Sequence, residues 1–420
     1  MRRALKWAGL AVAALATPVA LWIAAVSLFA FDPPEFPDTA PSVAEMEAVL
    51  EELTGANVPP GLSVVVLKDG RTVYKNSFGL ADGRTGRKVT NDSNFGWWSV
   101  TKIPTAIAAM QLIERGEMSL DDPVTAHLPL FKVTYPSPEQ GPVRIRHLLN
   151  HSSGIQEPLA VLFWMHPEGE GPYGLTDFVG EKLPKYAKLD FAPGTRVQYT
   201  NLGYMVLGAV IEAVSGMSYE DFVRSNILAP LDMQSTDFAL REDMLQDVAV
   251  GSHPLFDFTT TMMPFGWSYM IDDTRWGRRL IWLNRFYAHA NPPSGLFGPA
   301  DEAAQILRAM MNGGEVDGRR VLQPETVDLM LSAETPADAG SGERRVLGWL
   351  KQKGPRDRVY FSHSGGGVAY YTQMRFYPAE RLGIVVFTNN TKGHAEAIAD
   401  MIAGMDWPSG PDARGAKDAG

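Results

Sequence analysis

Ser99-Val100-Thr101-Lys102 sets a hydroxyl and an amine three residues apart, which on a helix brings both to one face. A serine hydroxyl ionises far above neutral pH and needs a base to become a nucleophile, and a lysine with a lowered pKa can be that base. A pair at this spacing is also expected about once by chance in a chain of this composition. The bland alternative is a serine that caps a helix, with the lysine facing solvent. Pro104 bears on the choice, because proline fits a helix only in its first turn. A helix running to Arg115 and stopped by Gly116 must then begin close to Ser99. A serine there lies among unpaired N–H groups at the positive end of the helix dipole, a setting suited to a developing oxyanion.

Two further groups carry compatible chemistry. In Tyr199-Thr200-Asn201 a phenol can shuttle protons beside a lysine, and an amide can bind a substrate carbonyl and orient the lysine. The same pattern occurs at Tyr74-Lys75-Asn76, but that copy falls inside an expected strand. Tyr199 instead follows Pro193-Gly194 and enters a helix with apolar residues at Leu202, Met205, Val206, Ala209, Val210, Ala213 and Val214, ended by Gly216. The alternative there is a Tyr and an Asn that merely cap the helix. The third group is His363-Ser364-Gly365-Gly366, expected just after a strand at Val359 to Ser362. Glycines beside a strand allow close approach of a ligand, and the Gly366 N–H is a candidate oxyanion donor; alone, the group reads as a turn.

The elements that must position these residues come from both ends of the chain. Ser42 to Leu53 has helical spacing, and Gly61 to Gly79 reads as two strands joined at Asp69-Gly70. Near the other end, strands are expected at Arg345 to Lys351, Val359 to Ser362, Ala369 to Tyr377 and Leu382 to Thr388, then a helix at Ala395 to Met405. Between them lie helical patterns and Pro/Gly loops. The simplest arrangement is an α/β (α+β) fold: one antiparallel sheet built from both chain ends and flanked by helices, with a mostly helical subdomain inserted.

Composition narrows the function. Acidic residues outnumber basic ones, 48 to 38, for a net charge of -10, which argues against nucleic acid as a partner. There is no cysteine, hence no disulfide, thiol nucleophile or thiolate metal site. The eight histidines show no HExxH or similar ligand spacing, so neither metal nor cofactor is expected. At the N-terminus Arg2, Arg3 and Lys6 precede an uncharged apolar stretch from Ala8 to Phe31, which as a helix would span roughly 36 Å against a hydrocarbon core of about 30 Å. The expectation is an uncleaved transmembrane anchor over residues 1–31, with a cleaved signal sequence as the alternative. Either way the catalytic part is exported, at a bacterial inner membrane facing the periplasm. A proline-rich linker (32–40), one domain (41–406) and a disordered tail (407–420) complete the expected layout.

Taken together, the three groups resemble those of the serine β-lactamase and D,D-peptidase superfamily, in its class C type with related esterases and D-aminopeptidases. The resemblance runs from about Ser42 to Met405. It includes Leu148-Leu149-Asn150-His151-Ser152-Ser153-Gly154-Ile155, Phe191-Ala192-Pro193-Gly194 and Ser294-Gly295-Leu296-Phe297-Gly298 with Asp301. It implies Ser99 as nucleophile and Lys102 and Tyr199 as the acid/base pair. Asn201, His363, Ser364 and Gly365 would lie on the substrate side, and the Ser99 and Gly366 N–H groups would form the oxyanion hole. His151 reads as structural.

The implied activity is hydrolysis of a carboxylic ester or amide, or of a peptidoglycan-like substrate, through an acyl-enzyme. The alternatives are a β-lactamase, a D-alanyl-D-alanine carboxypeptidase and a slowly turning-over penicillin-binding receptor. His363 stands where class C β-lactamases have lysine, replacing a constant ammonium by a group mostly neutral at pH 7, so strong β-lactamase activity is not expected. His253 to Pro293 carries nine aromatics and the basic run Arg275-Trp276-Gly277-Arg278-Arg279. It reads either as a packed accessory element or as a lid lining an acyl pocket or resting on the membrane.

Overall fold

Asp69 and Gly70 take positive φ, 53° and 76°, the backbone that a tight two-residue hairpin needs. They fold Gly61–Lys68 (β1) back on Arg71–Asp82 (β2). The computed structural model describes residues 36–409, apart from 138, 160–163, 171–173, 256, 258, 261–262, 264–266, 272–279, 336–343 and 355–356. The expected anchor, the tail beyond 409 and the basic run at 275–279 lie outside the described residues.

Among the described residues the sheet has eight strands. After β1 and β2 come Arg87–Lys88 (β3), Arg344–Arg345 (β4), Leu350–Lys353 (β5), Val359–Gly366 (β6), Tyr371–Tyr377 (β7) and Leu382–Thr388 (β8). Their order is β4-β5-β6-β7-β8-β1-β2-β3, antiparallel throughout. The two chain ends meet where β1 pairs with β8, from Leu62 opposite Thr388 to Lys68 opposite Leu382.

Both faces of this sheet are covered, which explains why β1 and β8 are apolar on successive residues and do not alternate. Leu62, Val64, Val66, Ile384 and Val386 pack under two terminal helices, Val43–Gly55 (α1) and a C-terminal helix at Ala395–Ala403. Val65, Leu67, Val385 and Phe387 face the other way, into the larger core shared with the inserted helices. Those include Lys102–Glu114 (α2), Asn201–Ser215 (α3) and Ala300–Met311 (α4); the C-terminal helix is α5. Phe36 and Ala40, expected in a linker, instead pack on the body: Ala40 is buried and the Phe36 ring lies 5.5 Å from that of His394. Among the described residues no single helix is long and apolar enough to cross a membrane.

Two strand expectations change. Arg345 to Lys351 is not one strand, because the chain bends at Val346–Trp349 and buries those four residues. The strand from Val359 does not stop at Ser362; it continues to Gly366, so His363-Ser364-Gly365-Gly366 is part of the sheet and not a turn after it.

Candidate active site

Ser99 lies in a single 3₁₀ turn, Trp98–Thr101, that feeds directly into α2 at Lys102. Pro104 therefore sits in the first turn of α2, where its missing N–H costs nothing, and Gly116, at φ 71°, follows the helix end. Trp98 takes φ 49°, a conformation that costs a bulky residue about 1 kcal/mol or more. Its indole N–H donates to the Val368 carbonyl at 3.2 Å, and Gly367 has no Cβ to obstruct the ring.

Among the described residues the Ser99 hydroxyl has two chemical neighbours. Lys102 Nζ is 3.2 Å from Oγ, and the Tyr199 phenol donates to Oγ at 2.6 Å. Tyr199 is delivered by the N-terminus of α3, where the Thr200 side chain caps the helix and the Thr200 N–H donates to His151 Nδ1 at 3.2 Å. Tyr74, by contrast, is buried in β2 with its hydroxyl on Glu47, so the copy of the motif there is structural.

Lys102 is fully buried. Its Nζ also donates to Asn201 Oδ1 at 2.7 Å and to the Pro293 carbonyl at 2.9 Å. Burial pushes its ammonium well below the ordinary lysine range; the Glu157 carboxylate opposes this and the Arg345 guanidinium adds to it. Burial also raises the Tyr199 phenol above its ordinary value, so Tyr199 rests protonated. The cluster thus joins an amine inclined to be neutral, a phenol inclined to hold its proton, and a hydroxyl between them.

The third group reaches the site along β6. A Cβ on Gly365 would stand 2.1 Å from the Trp97 carbonyl oxygen and 3.1 Å from the Ser99 nitrogen, so only glycine lets this strand lie against the nucleophile's turn. Gly366 and Ser99 line one cavity of about 60 Å³, walled by Trp98, Trp164, Met205 and Pro293. His363 lies on the Gly365 face of the strand, its ring 6.4 Å from that of Tyr199. Burial, with the nearby Lys102 charge, pushes the imidazole down to about 3, so it is neutral at physiological pH. Its Nδ1 meets the Ser364 carbonyl at 2.8 Å and must be the protonated nitrogen, because the carbonyl can only accept.

Ser364 does not join the cluster. Strand alternation turns it to the other face, where its hydroxyl donates to Glu396 of α5. Nor is Asn201 free on the substrate side: Oδ1 takes Lys102, while Nδ2 donates to Glu157 Oε1 at 2.7 Å. His151 is buried, held neutral by that burial, and braced against Tyr199 and Tyr204 at 4.5 and 4.9 Å between ring centres, a structural part as expected.

Three participants carry no sequence signal of their own. Pro293 contributes only a backbone carbonyl. Arg345, whose guanidinium lies 5.2 Å from the centre of the Tyr199 ring, arrives through the sheet order. Glu157 stands just beyond the Leu148 to Ile155 signature, and its place after that loop is the one hint available.

Part of the aromatic segment reaches the site as well. Phe286–Ala288 pairs with Met165–Pro167, and Ala288 and Ala290 help line the Ser99 cavity. Two larger clefts, of about 480 and 670 Å³, contain none of Ser99, Lys102 and Tyr199, so chemistry and not volume selects the site.

A sheet covered by helices on both faces, with a serine held against β6 between a buried amine and a phenol, defines an acyl-transferring serine hydrolase. The chain belongs to the Beta-lactamase family, whose model matches residues 46–404. It is 34% identical over 225 residues to esterase EstB of Burkholderia gladioli, a match spanning 50% of this chain and 55% of that esterase. It is 28% identical over 335 residues to penicillin-binding protein 4* of Bacillus subtilis, covering 78% of this chain and 67% of that protein. Among solved structures, the octameric penicillin-binding protein homologue from Pyrococcus abyssi superposes with a TM-score of 0.67 at 26% identity, over 86% of this chain and 76% of that one. The fold is shared with EstCE1, a hydrolase with promiscuous acyltransferase activity, at a TM-score of 0.66 and 22% identity, over 85% of this chain and 97% of that one.

Proposed function

We propose that the enzyme hydrolyses simple carboxylic esters through an acyl-enzyme on Ser99, with the serine's contacts to Lys102 and Tyr199 as the carrying observation. Ser99 Oγ attacks the acyl carbonyl as its proton passes to Lys102 Nζ. The carbonyl oxygen takes the negative charge and is met by the Ser99 and Gly366 N–H groups. When the carbon–oxygen bond of the ester breaks, the leaving alkoxide takes a proton relayed through Tyr199, which recovers it from Lys102. Water then attacks the acyl-serine by the reverse proton path, releasing the acid and restoring the hydroxyl. The neutral His363 and the small, largely apolar cavity support an uncharged acyl group. Similarity to an esterase over half the chain supports the same reading. The form of the three motifs supports membership of the esterase-like branch of the class C type.

One observation favours a second reading, a peptidase or β-lactam-acylating protein. Arg345 supplies beside Tyr199 the permanent positive charge that His363 does not, and a substrate carboxylate would be drawn to it. Fluorophosphonate labelling with peptide mapping, followed by turnover of a p-nitrophenyl ester and a chromogenic cephalosporin, tests both. The expected result is modification of Ser99 alone, with ester turnover the faster and no stable acylation by the cephalosporin. Labelling that survives Ser99→Ala sinks the nucleophile assignment. Cephalosporin turnover above the ester's, or an acylation burst without release, selects the second reading.

The proposal extends to location. The apolar stretch Ala8 to Phe31 behind Arg2, Arg3 and Lys6 supports an uncleaved anchor, with the enzyme facing the periplasm. Mass analysis of the protein's N-terminus after cell fractionation is expected to find residues 1–31 retained in the membrane fraction. A soluble periplasmic chain beginning beyond residue 25 overturns it.

A further inference from the structure

Among the described residues Lys102 Nζ has three polar neighbours, and they differ in kind. Asn201 Oδ1 and the Pro293 carbonyl can only accept, whereas Ser99 Oγ can also donate. A neutral amine has two N–H bonds and one lone pair. With both N–H bonds spent on the two carbonyl oxygens, the lone pair is left facing Ser99. This arrangement depends on which end of the Asn201 amide faces the lysine. Turned over, Asn201 would present Nδ2 to Nζ, and its N–H would compete with the serine for the lone pair.

Glu157 decides the orientation. One carboxylate oxygen accepts from the Asn201 side-chain Nδ2 at 2.7 Å and the other from the Asn201 backbone N–H at 2.6 Å. A carboxylate has no proton to give, so it admits only the orientation with Nδ2 toward itself. Resting on the assignment of Ser99 as nucleophile and Lys102 as base, we propose that Glu157 is a positioning residue for acyl transfer. By gripping Asn201 at two points it holds the amide oxygen on Lys102 and thereby aims the lysine lone pair at Ser99.

The grip also has an electrostatic side. The groups around Nζ are the rings of Tyr199 and Tyr204, at 4.7 and 5.5 Å, with His363, His151, the Arg345 guanidinium and the Glu157 carboxylate. His363 and His151 are neutral and Arg345 is positive, so Glu157 supplies the negative charge that favours the protonated lysine. Removing that charge lowers the lysine's pKa further, and the acid limb of the acylation profile must move to lower pH. A merely structural loss would leave the limb in place.

The test is the pH profile of the second-order rate at which a fluorophosphonate labels Ser99, in wild type, Glu157→Gln and Glu157→Asp, with thermal melts to confirm folding. Glutamine has the same shape, but its amide accepts from only one Asn201 N–H and opposes the other with a donor. Its plateau rate is expected to fall by on the order of 10²-fold, the usual effect of a small misplacement of a reacting group, with the acid limb shifted to lower pH. Aspartate keeps the charge and loses the reach, so its rate is expected to fall while the limb stays at the wild-type pH. A folded Glu157→Gln enzyme with wild-type rate and limb overturns the proposal, as does a Glu157→Asp enzyme with wild-type rate. If Glu157→Gln does not fold, the aspartate variant decides alone by the same criterion. Labelling of wild type at a residue other than Ser99 would instead overturn the underlying assignment, so the two failures are distinguishable.

Discussion

Lys102→Met is expected to fold and to acylate about 10²- to 10⁴-fold more slowly than wild type at neutral pH, the usual contribution of a positioned general base. Methionine is unbranched and of similar length, so it fills the buried channel while offering no lone pair to the Ser99 proton. Two carbonyl acceptors, Asn201 Oδ1 and Pro293 O, lose their donor, which costs about 1–3 kcal/mol each where no water replaces it. Against that stands a gain. A lysine pKa held below its unfolded value means that the unfolded chain binds the extra proton over the window between the two values. Native stability therefore rises with pH across that window and is reduced at its acid end. Wild type bears this cost at neutral pH and the methionine variant does not, so the expected change in Tm is small beside the change in rate. Lys102→Arg separates charge from basicity, since arginine keeps the cation but is effectively never deprotonated. Single-turnover acylation by one ester, with a thermal melt of each variant, reads both effects. A folded Lys102→Met enzyme acylating near the wild-type rate would pass the role of base to Tyr199 and remove Lys102 from the mechanism.

What local sequence could show, it showed well. Asp69-Gly70 announced its hairpin because only a few residue types tolerate two successive positive φ values. Gly116 and Gly216 marked helix ends for the same reason, with φ of 71° and 69°. Tyr199 could be separated from Tyr74 by whether the chain around each was helical or extended, and the structure puts them in those two settings. Failures came where the deciding contact was distant. The glycines after His363 looked like the end of a strand, because glycine is poor in strands. They are strand residues, and the missing side chain of Gly365 makes room for the Ser99 turn, more than 260 residues earlier in the chain. Glu157 meets Asn201 across 44 residues and Pro293 meets Lys102 across 191, one through an ordinary carboxylate and the other through a backbone oxygen. Neither has a pattern that could be read in advance. Asn201 was legible as a participant but not in its commitments, because an amide's orientation is set by its neighbours.

The same distant contact supports a second large effect, at Gly365. A methyl group there would stand 2.1 Å from the Trp97 carbonyl oxygen and 2.3 Å from Thr372 Oγ1. Those two atoms are themselves hydrogen-bonded at 2.8 Å, in the clamp that ties β7 to the turn carrying the nucleophile. Since real Cβ contacts are essentially never under 3.0 Å, Gly365→Ala must drive β6 and the Ser99 turn apart by roughly an ångström or break the clamp. Overpacking of this kind costs about 1–3 kcal/mol of stability. The catalytic cost is larger, because the displaced strand carries Gly366 and the displaced turn carries Ser99, the two proposed sources of oxyanion N–H groups. Losing one such donor costs about 10²- to 10³-fold in turnover, and displacing the nucleophile adds to it. Gly365→Ala is therefore expected to lower kcat/KM for the ester by at least about 10³-fold while Tm falls by only a few degrees. Steady-state kinetics and a thermal melt on the same preparation check the two together. Full activity with an unshifted Tm would mean that β6 does not press on the nucleophile's turn, and would overturn the prediction.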